Sequence, residues 1–144
     1  MYNGLLHAHS GVRYIVLLGL LIVVVTSLLG WINRKPYTPT DNKLSLYLFI
    51  ATHIQLLLGL ILYFVSPFVQ FGGTTMSDKT TRYWTVEHMV GMLVAVVLIT
   101  LARSTSKRMS DDNARHKRMF IFNFVALVVI IAIISISGRG LIGG

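Results

Sequence analysis

The chain has 144 residues, 54 % of them hydrophobic and 12 % charged, with a mean hydropathy of +0.70, a formal net charge of +8 and no cysteine. That is more apolar surface than a soluble domain of this length buries, so the composition places the chain in a membrane. The missing cysteine excludes disulfides, iron–sulfur ligation, thiolate chemistry and CxxCH-type haem attachment. The continuous apolar runs exclude a transmembrane barrel, whose strands alternate.

Four runs are each long enough for the roughly 20 helical residues that cross about 30 Å of hydrocarbon. The first helix is expected over about 6–32, around the run from Val12 to Trp31. The preceding "MYNGLLHAHSG" has no basic stretch and no small-residue cleavage site follows, so it reads as mature protein rather than a leader. Pro36 and Pro39 in "NRKPYTPTDNK" stop this helix, and Asp41 is the expected cap of a second over about 43–67. The loop "SPFVQFGGTTMSDKTTRYW" turns at Gly72 and Gly73 and brings Tyr83 and Trp84 to the interface.

The third helix is expected over about 82–104. Its charge-free part, Met89 to Ala102, is too short to span by itself. Counting about 20 residues back from Arg103 reaches Trp84, which puts Glu87 and His88 inside the membrane or at its edge. A fourth helix follows over about 117–138, and then the glycine-rich tail "SGRGLIGG". Short connections and four spans make one domain without internal repeats, an all-α up-and-down bundle.

Charge orients the bundle. Arg34, Lys35, Lys43, Arg103, Lys107, Arg108, Arg115, Lys117 and Arg118, nine of the thirteen basic residues, lie between helices one and two or three and four. By the positive-inside rule these loops are cytoplasmic, and both termini are on the outer, periplasmic side. The basic loop "RSTSKRMSDDNARHKRM" also contains Asp111 and Asp112 and sits between two membrane helices, which favours anionic lipid over nucleic acid as its neighbour.

Histidine carries the candidate chemistry. His116 falls in the basic loop and reads as solvated. His7, His9, His53 and His88 fall in or beside the membrane, where a polar side chain without a partner is expensive. Each has two uses, as a hydrogen-bonding contact between helices or as a ligand. In an up-and-down bundle helices one and three run the same way, and His9 and His88 both lie about four residues, roughly 6 Å, inside the outer boundary. His53, about 14 residues before Pro67, is roughly 21 Å deep.

His88 shares its stripe with Gly91, Met92 and Ala95, a run of small or pliable residues that leaves either a close helix contact or a slot for a flat macrocycle. Arg13, four residues after His9, stands where a guanidinium meets a carboxylate such as a haem propionate. His7 is about 200° round the helix from His9, so the two do not line one helical site. Glu87 is read either as a group that fixes a neighbouring imidazole or as an interfacial carboxylate paired with Arg82 or Arg13. The pattern suits a bis-histidine haem b, with His88 and His9 as iron ligands and His53 as the alternative.

Together "HAHSGVRY", "THIQLLLGLILYFVSP", "RYWTVEHMVGM" and "HKRMFIFNFVALV" resemble a family of small four-helix bacterial inner-membrane proteins described as cytochrome b-like. Glu87–His88 and "QLLLG" at 55–59 also resemble, more loosely, one four-helix half of haem A synthase, at half that protein's length. The resemblance implies haem binding and electron transfer in or beside a respiratory chain, rather than stand-alone catalysis. Two other readings stay open: a haem-free accessory or assembly subunit packed against other membrane proteins or copies of itself, with Ser135 and Ser137 on its docking face, and a Cu or Zn site from His7, His9, His88 and Glu87. His53 and Gln55 also offer polar groups to a quinone.

Overall fold

The computed structural model describes residues 2–65 and 86–136. These residues form four helices: α1 (Tyr2–Ile32), α2 (Pro39–Val65), α3 (His88–Ser106) and α4 (Asp112–Ile136). All four are long and apolar enough to cross a membrane. The expected loop over 68–83, the start of the third helix at 82 and the glycine-rich tail lie outside the described residues.

Three helix starts differ from expectation: α1 begins at Tyr2, four residues before the expected 6, and local capping explains the other two. Thr38, not Asp41, caps α2. Its N–H and hydroxyl donate to Asp41 Oδ2 at 2.9 and 3.0 Å, and the Asp41 N–H returns a bond to Thr38 Oγ1 at 3.3 Å. Pro39 then opens the helix, where its missing N–H costs nothing, so α2 begins four residues before the expected 43. Likewise Asp111 takes the Ala114 N–H at 3.2 Å and starts α4 at Asp112, five residues before the expected 117.

α1 ends before either proline can act. Lys35 N–H reaches the Gly30 carbonyl at 3.0 Å and Arg34 N–H the Trp31 carbonyl at 3.4 Å. This paired closure puts Arg34 in the left-handed region, at φ 53°, a position usually given to glycine.

α1 packs on α2 and α4, and α3 packs on α4, while α2 and α3 touch sparsely. α1 and α3 therefore stand diagonally across the bundle. Three seams each close over a glycine: a Cβ on Gly59 of α2 would meet the His9 ring of α1, one on Gly30 of α1 would meet the His116 ring of α4, and one on Gly91 of α3 would meet Ile133 of α4. Removing the side chain lets backbones approach, which is how helices associate where burial from water offers little drive.

The core between them is Leu20, Val23, Val24, Leu48, Ala95, Ile99, Ala102, Met119, Ala126, Ile130 and Ile134. Outward positions stay apolar: Leu18 and Leu57 are each 60 % exposed and Phe64 79 %. In water such faces would be untenable, and against lipid they are expected.

Candidate functional site

The upper ends of α1 and α3, diagonal partners in the bundle, bring two imidazoles together. The rings of His9 and His88 have centres 6.3 Å apart and planes inclined at 60°. His9 is positioned by α2: Gln55 Nε2 donates to the His9 backbone carbonyl at 2.9 Å, and the absent side chain of Gly59 leaves the place where the His9 ring lies, 3.3 Å from a Cβ built there. Gln55 and Gly59 are one turn apart on α2, so a single stripe holds the backbone and accommodates the ring. The Nδ1 of His9 and the Oε1 of Gln55 are buried and have no hydrogen-bond partner among the described residues. A buried polar atom left so costs on the order of 1–3 kcal/mol unless water, an ion or a ligand satisfies it.

The other expected site residues divide. Glu87 is half-buried in the turn that leads into α3, directly before His88. Arg13 lies within electrostatic reach of His9, and its guanidinium folds over its own neighbour Tyr14, 4.8 Å from the ring centre with Nη2 donating to the hydroxyl at 3.0 Å. Gly91 is buried, and Ile133 fills the space beside it. The small-residue stripe below His88 is thus used for close packing of α3 on α4.

His53 stands apart from the pair. Its Nδ1 donates to the Phe49 carbonyl one turn back at 2.8 Å, and its ring lies on that of Phe49 with centres 4.2 Å apart. A carbonyl only accepts, so this nitrogen carries the proton and Nε2 of the neutral ring is an acceptor. The Arg103 guanidinium approaches the Phe49 ring at 6.0 Å, which places Phe49 and His53 toward α3 while Gln55 faces α1.

His7 is exposed, and among the described residues no three His, Asp or Glu side chains come together. The Cu or Zn chelate of His7, His9, His88 and Glu87 is therefore not assembled. A helical start to the chain carries His7 and His9 to opposite sides.

His116 corrects the sequence reading. Expected to be solvated, it is 2 % exposed. Because α4 starts at Asp112, His116 joins Met119, Asn123 and Ala126 on the inward stripe, and its ring fills the groove over Gly30. Tyr37 flanks it at 5.2 Å between ring centres, and Nε2 points to the Pro36 carbonyl at 3.4 Å. The signal was legible: an Asp–Asp pair opening a helix, followed at helical spacing by His116, Met119 and Asn123.

Fold and site together define a multi-pass helical membrane protein with a facing pair of imidazoles near one end. The chain matches no protein-family model, no curated protein and no solved structure.

A metal held in line between two imidazoles at about 2 Å from each nitrogen separates the ring centres by roughly 6 Å, close to the spacing here. The two facing groups are imidazoles, whose nitrogens suit haem iron or a borderline metal ion better than a hard cation.

Proposed function

We propose that the chain is a haem b-binding membrane protein that carries electrons, with His9 and His88 as the residues that would hold the iron. The observation that supports this most directly is the meeting of two imidazoles from diagonal helices at 6.3 Å, one of them with a buried, unsatisfied Nδ1. Haem iron would supply one-electron redox chemistry at this place. The chain's own part is to hold the two rings, exclude water with the apolar faces around them and set the local charge. Gln55 and Gly59 fix His9, Glu87 adjoins His88, and Arg13 adds a positive charge on the His9 side. In this reading the basic loops face the cytoplasm, so the site lies near the periplasmic face of a bacterial inner membrane.

A second reading rests on the opposite end of the Gly91 stripe. Ile133 takes the room below His88, which favours a packed bundle serving as an accessory subunit whose outer faces meet lipid and partner helices.

One experiment separates them. The detergent-purified protein and its His9→Ala, His88→Ala and His53→Ala variants are examined by reduced-minus-oxidised and pyridine haemochrome spectra. The expected result is stoichiometric haem b in the parent and in His53→Ala, and none in the other two. A colourless parent, or a spectrum that survives loss of both His9 and His88, removes the haem reading and leaves the accessory role.

A further inference from the structure

At the loop end of the bundle nine Lys and Arg residues accompany three carboxylates, and each carboxylate is already engaged with backbone. Asp41 accepts from Thr38 N–H, Asp111 from Ala114 N–H and Asp112 from Tyr37 N–H, the last at 3.0 Å and across 75 residues of chain. Two of the half-buried cations reach onto the α1–α2 connection and the start of α2. Arg103, half-buried in the last turn of α3, donates through Nη1 to the Asn42 carbonyl and side chain, both at 3.3 Å, and to Ser45 Oγ on α2. Arg115, in the second turn of α4, lies 4.1 Å over the Tyr37 ring with its Nε buried and without a hydrogen-bond partner among the described residues.

Tyr37 links the two. Its side chain lies beside Ser45, which Arg103 contacts, and both guanidiniums act on it electrostatically, as does Asp41 with the opposite sign. Burial, the largest influence, pushes the phenol above its ordinary pKa of 10.0. Tyr37 therefore stays a neutral donor at physiological pH and offers no counter-charge. Every partner of Arg103 is neutral, and its Nε and Nη2 make no hydrogen bond to the described protein. Guanidiniums taken partly out of water without a carboxylate are costly, and their planar donors match the oxygens of a phosphate.

We propose that Arg103 and Arg115, with the Tyr37 hydroxyl between them, form a binding site for a phosphate ester at the loop end of the bundle. The chemistry is that of a phospholipid headgroup or a free phosphate ester, and position favours the lipid. The site lies at the end of the membrane-length helices, above the sparsely packed seam of α2 and α3, whose outward residues Tyr47, Ile50 and Leu101 are exposed and apolar enough to take acyl chains. Basic recesses between helices at this membrane face are where anionic headgroups settle. The inference is independent of the haem reading.

The test uses the full chain, delipidated in a neutral detergent. Thermal unfolding and native mass spectrometry are followed during titration with phosphatidylglycerol, phosphatidylcholine or glycerol 3-phosphate. Phosphatidylglycerol is expected to raise the melting temperature and to stay bound, and phosphatidylcholine to do neither. Arg115→Gln leaves the bonds of Arg103 to α2 intact and should weaken phosphatidylglycerol binding about ten-fold, as should Arg103→Gln if it folds. Glycerol 3-phosphate acting as strongly as the lipid would support the site and identify a free ester as its source. Equal binding of the two lipids, or a Lys107→Gln/Arg108→Gln control that loses as much affinity as Arg115→Gln, would reduce the site to a generally basic surface and overturn the proposal.

Discussion

His9 and His116 sit at opposite ends of the same helical bundle and meet glycines of neighbouring helices in the same way, yet the fold treats them differently. His116 is closed in by Gly30, Tyr37 and the Pro36 carbonyl, with its ring filling the groove that the glycine leaves. His9 also lies over a glycine, Gly59, but keeps a buried nitrogen without a hydrogen-bond partner among the described residues and faces a second imidazole. Under the haem reading, burial alone does not separate a structural histidine from a ligand, and the hydrogen bonds left open at the ring nitrogens do.

The sharpest way to break this comparison is to fill the two grooves. A methyl group at Gly30 would stand 2.5 Å from the His116 ring, which has no room to retreat. Gly30→Ala is expected to cost about 3 kcal/mol by overpacking, read as a large fall in melting temperature. Gly59→Ala meets the edge of the His9 ring at 3.3 Å, a contact that a shift of a few tenths of an ångström relieves, so its cost in stability should be small and, under the haem reading, its main effect should be on the spectrum.

The next largest effect separates ligand from packing. Under the haem reading, His88→Ala removes haem, and the haem-free protein loses less stability than His116→Ala does, because His88 is half-buried whereas His116 is fully enclosed. His116→Ala has the opposite profile, retaining haem while losing roughly 2–4 kcal/mol to the cavity over Gly30. If both variants lost haem and stability alike, the contrast between the two histidines would fail.

Smaller changes test the cap and turn that place His116. Thr38→Ala removes the two bonds its hydroxyl makes with Asp41 and keeps the one from its backbone N–H, and should cost about 1 kcal/mol. Arg34→Gly relieves a left-handed residue at φ 53° and should instead stabilise by about 1 kcal/mol, which chemical denaturation would resolve.

The least effect is expected from pH. Because Tyr37 has a higher pKa folded than unfolded, its contribution is intact below the unfolded value of 10.0 and is lost as pH rises through the folded value. The melting temperature should fall above about pH 10, less so in Tyr37→Phe.

Much of this architecture was legible in the chain. Four apolar runs and their approximate limits follow from length and hydropathy, and the shared depth of His9 and His88 follows from counting residues at helical rise. The starts of α2 and α4 fall earlier than expected because Thr38 and Asp111, each one residue before the helix, act as caps, whereas Asp41 was the expected cap of the second helix and the fourth had none assigned. Placing α4 five residues late is what made His116 look solvated, since the inward stripe was then never extended back to it.

Hydropathy by itself determined that this chain makes membrane-length helices, because continuous apolar runs have no other way to satisfy their backbones in lipid. Only the packing decided which polar groups meet. Whether Gly91 opens a slot or receives Ile133, whether His53 joins His9 or turns to Phe49, and whether Arg103 remains in solvent or is bound to Ser45 all depend on which helix faces which. Nothing in one helix's own periodicity specifies the side chains of its neighbour, so these contacts exist only in the assembled bundle.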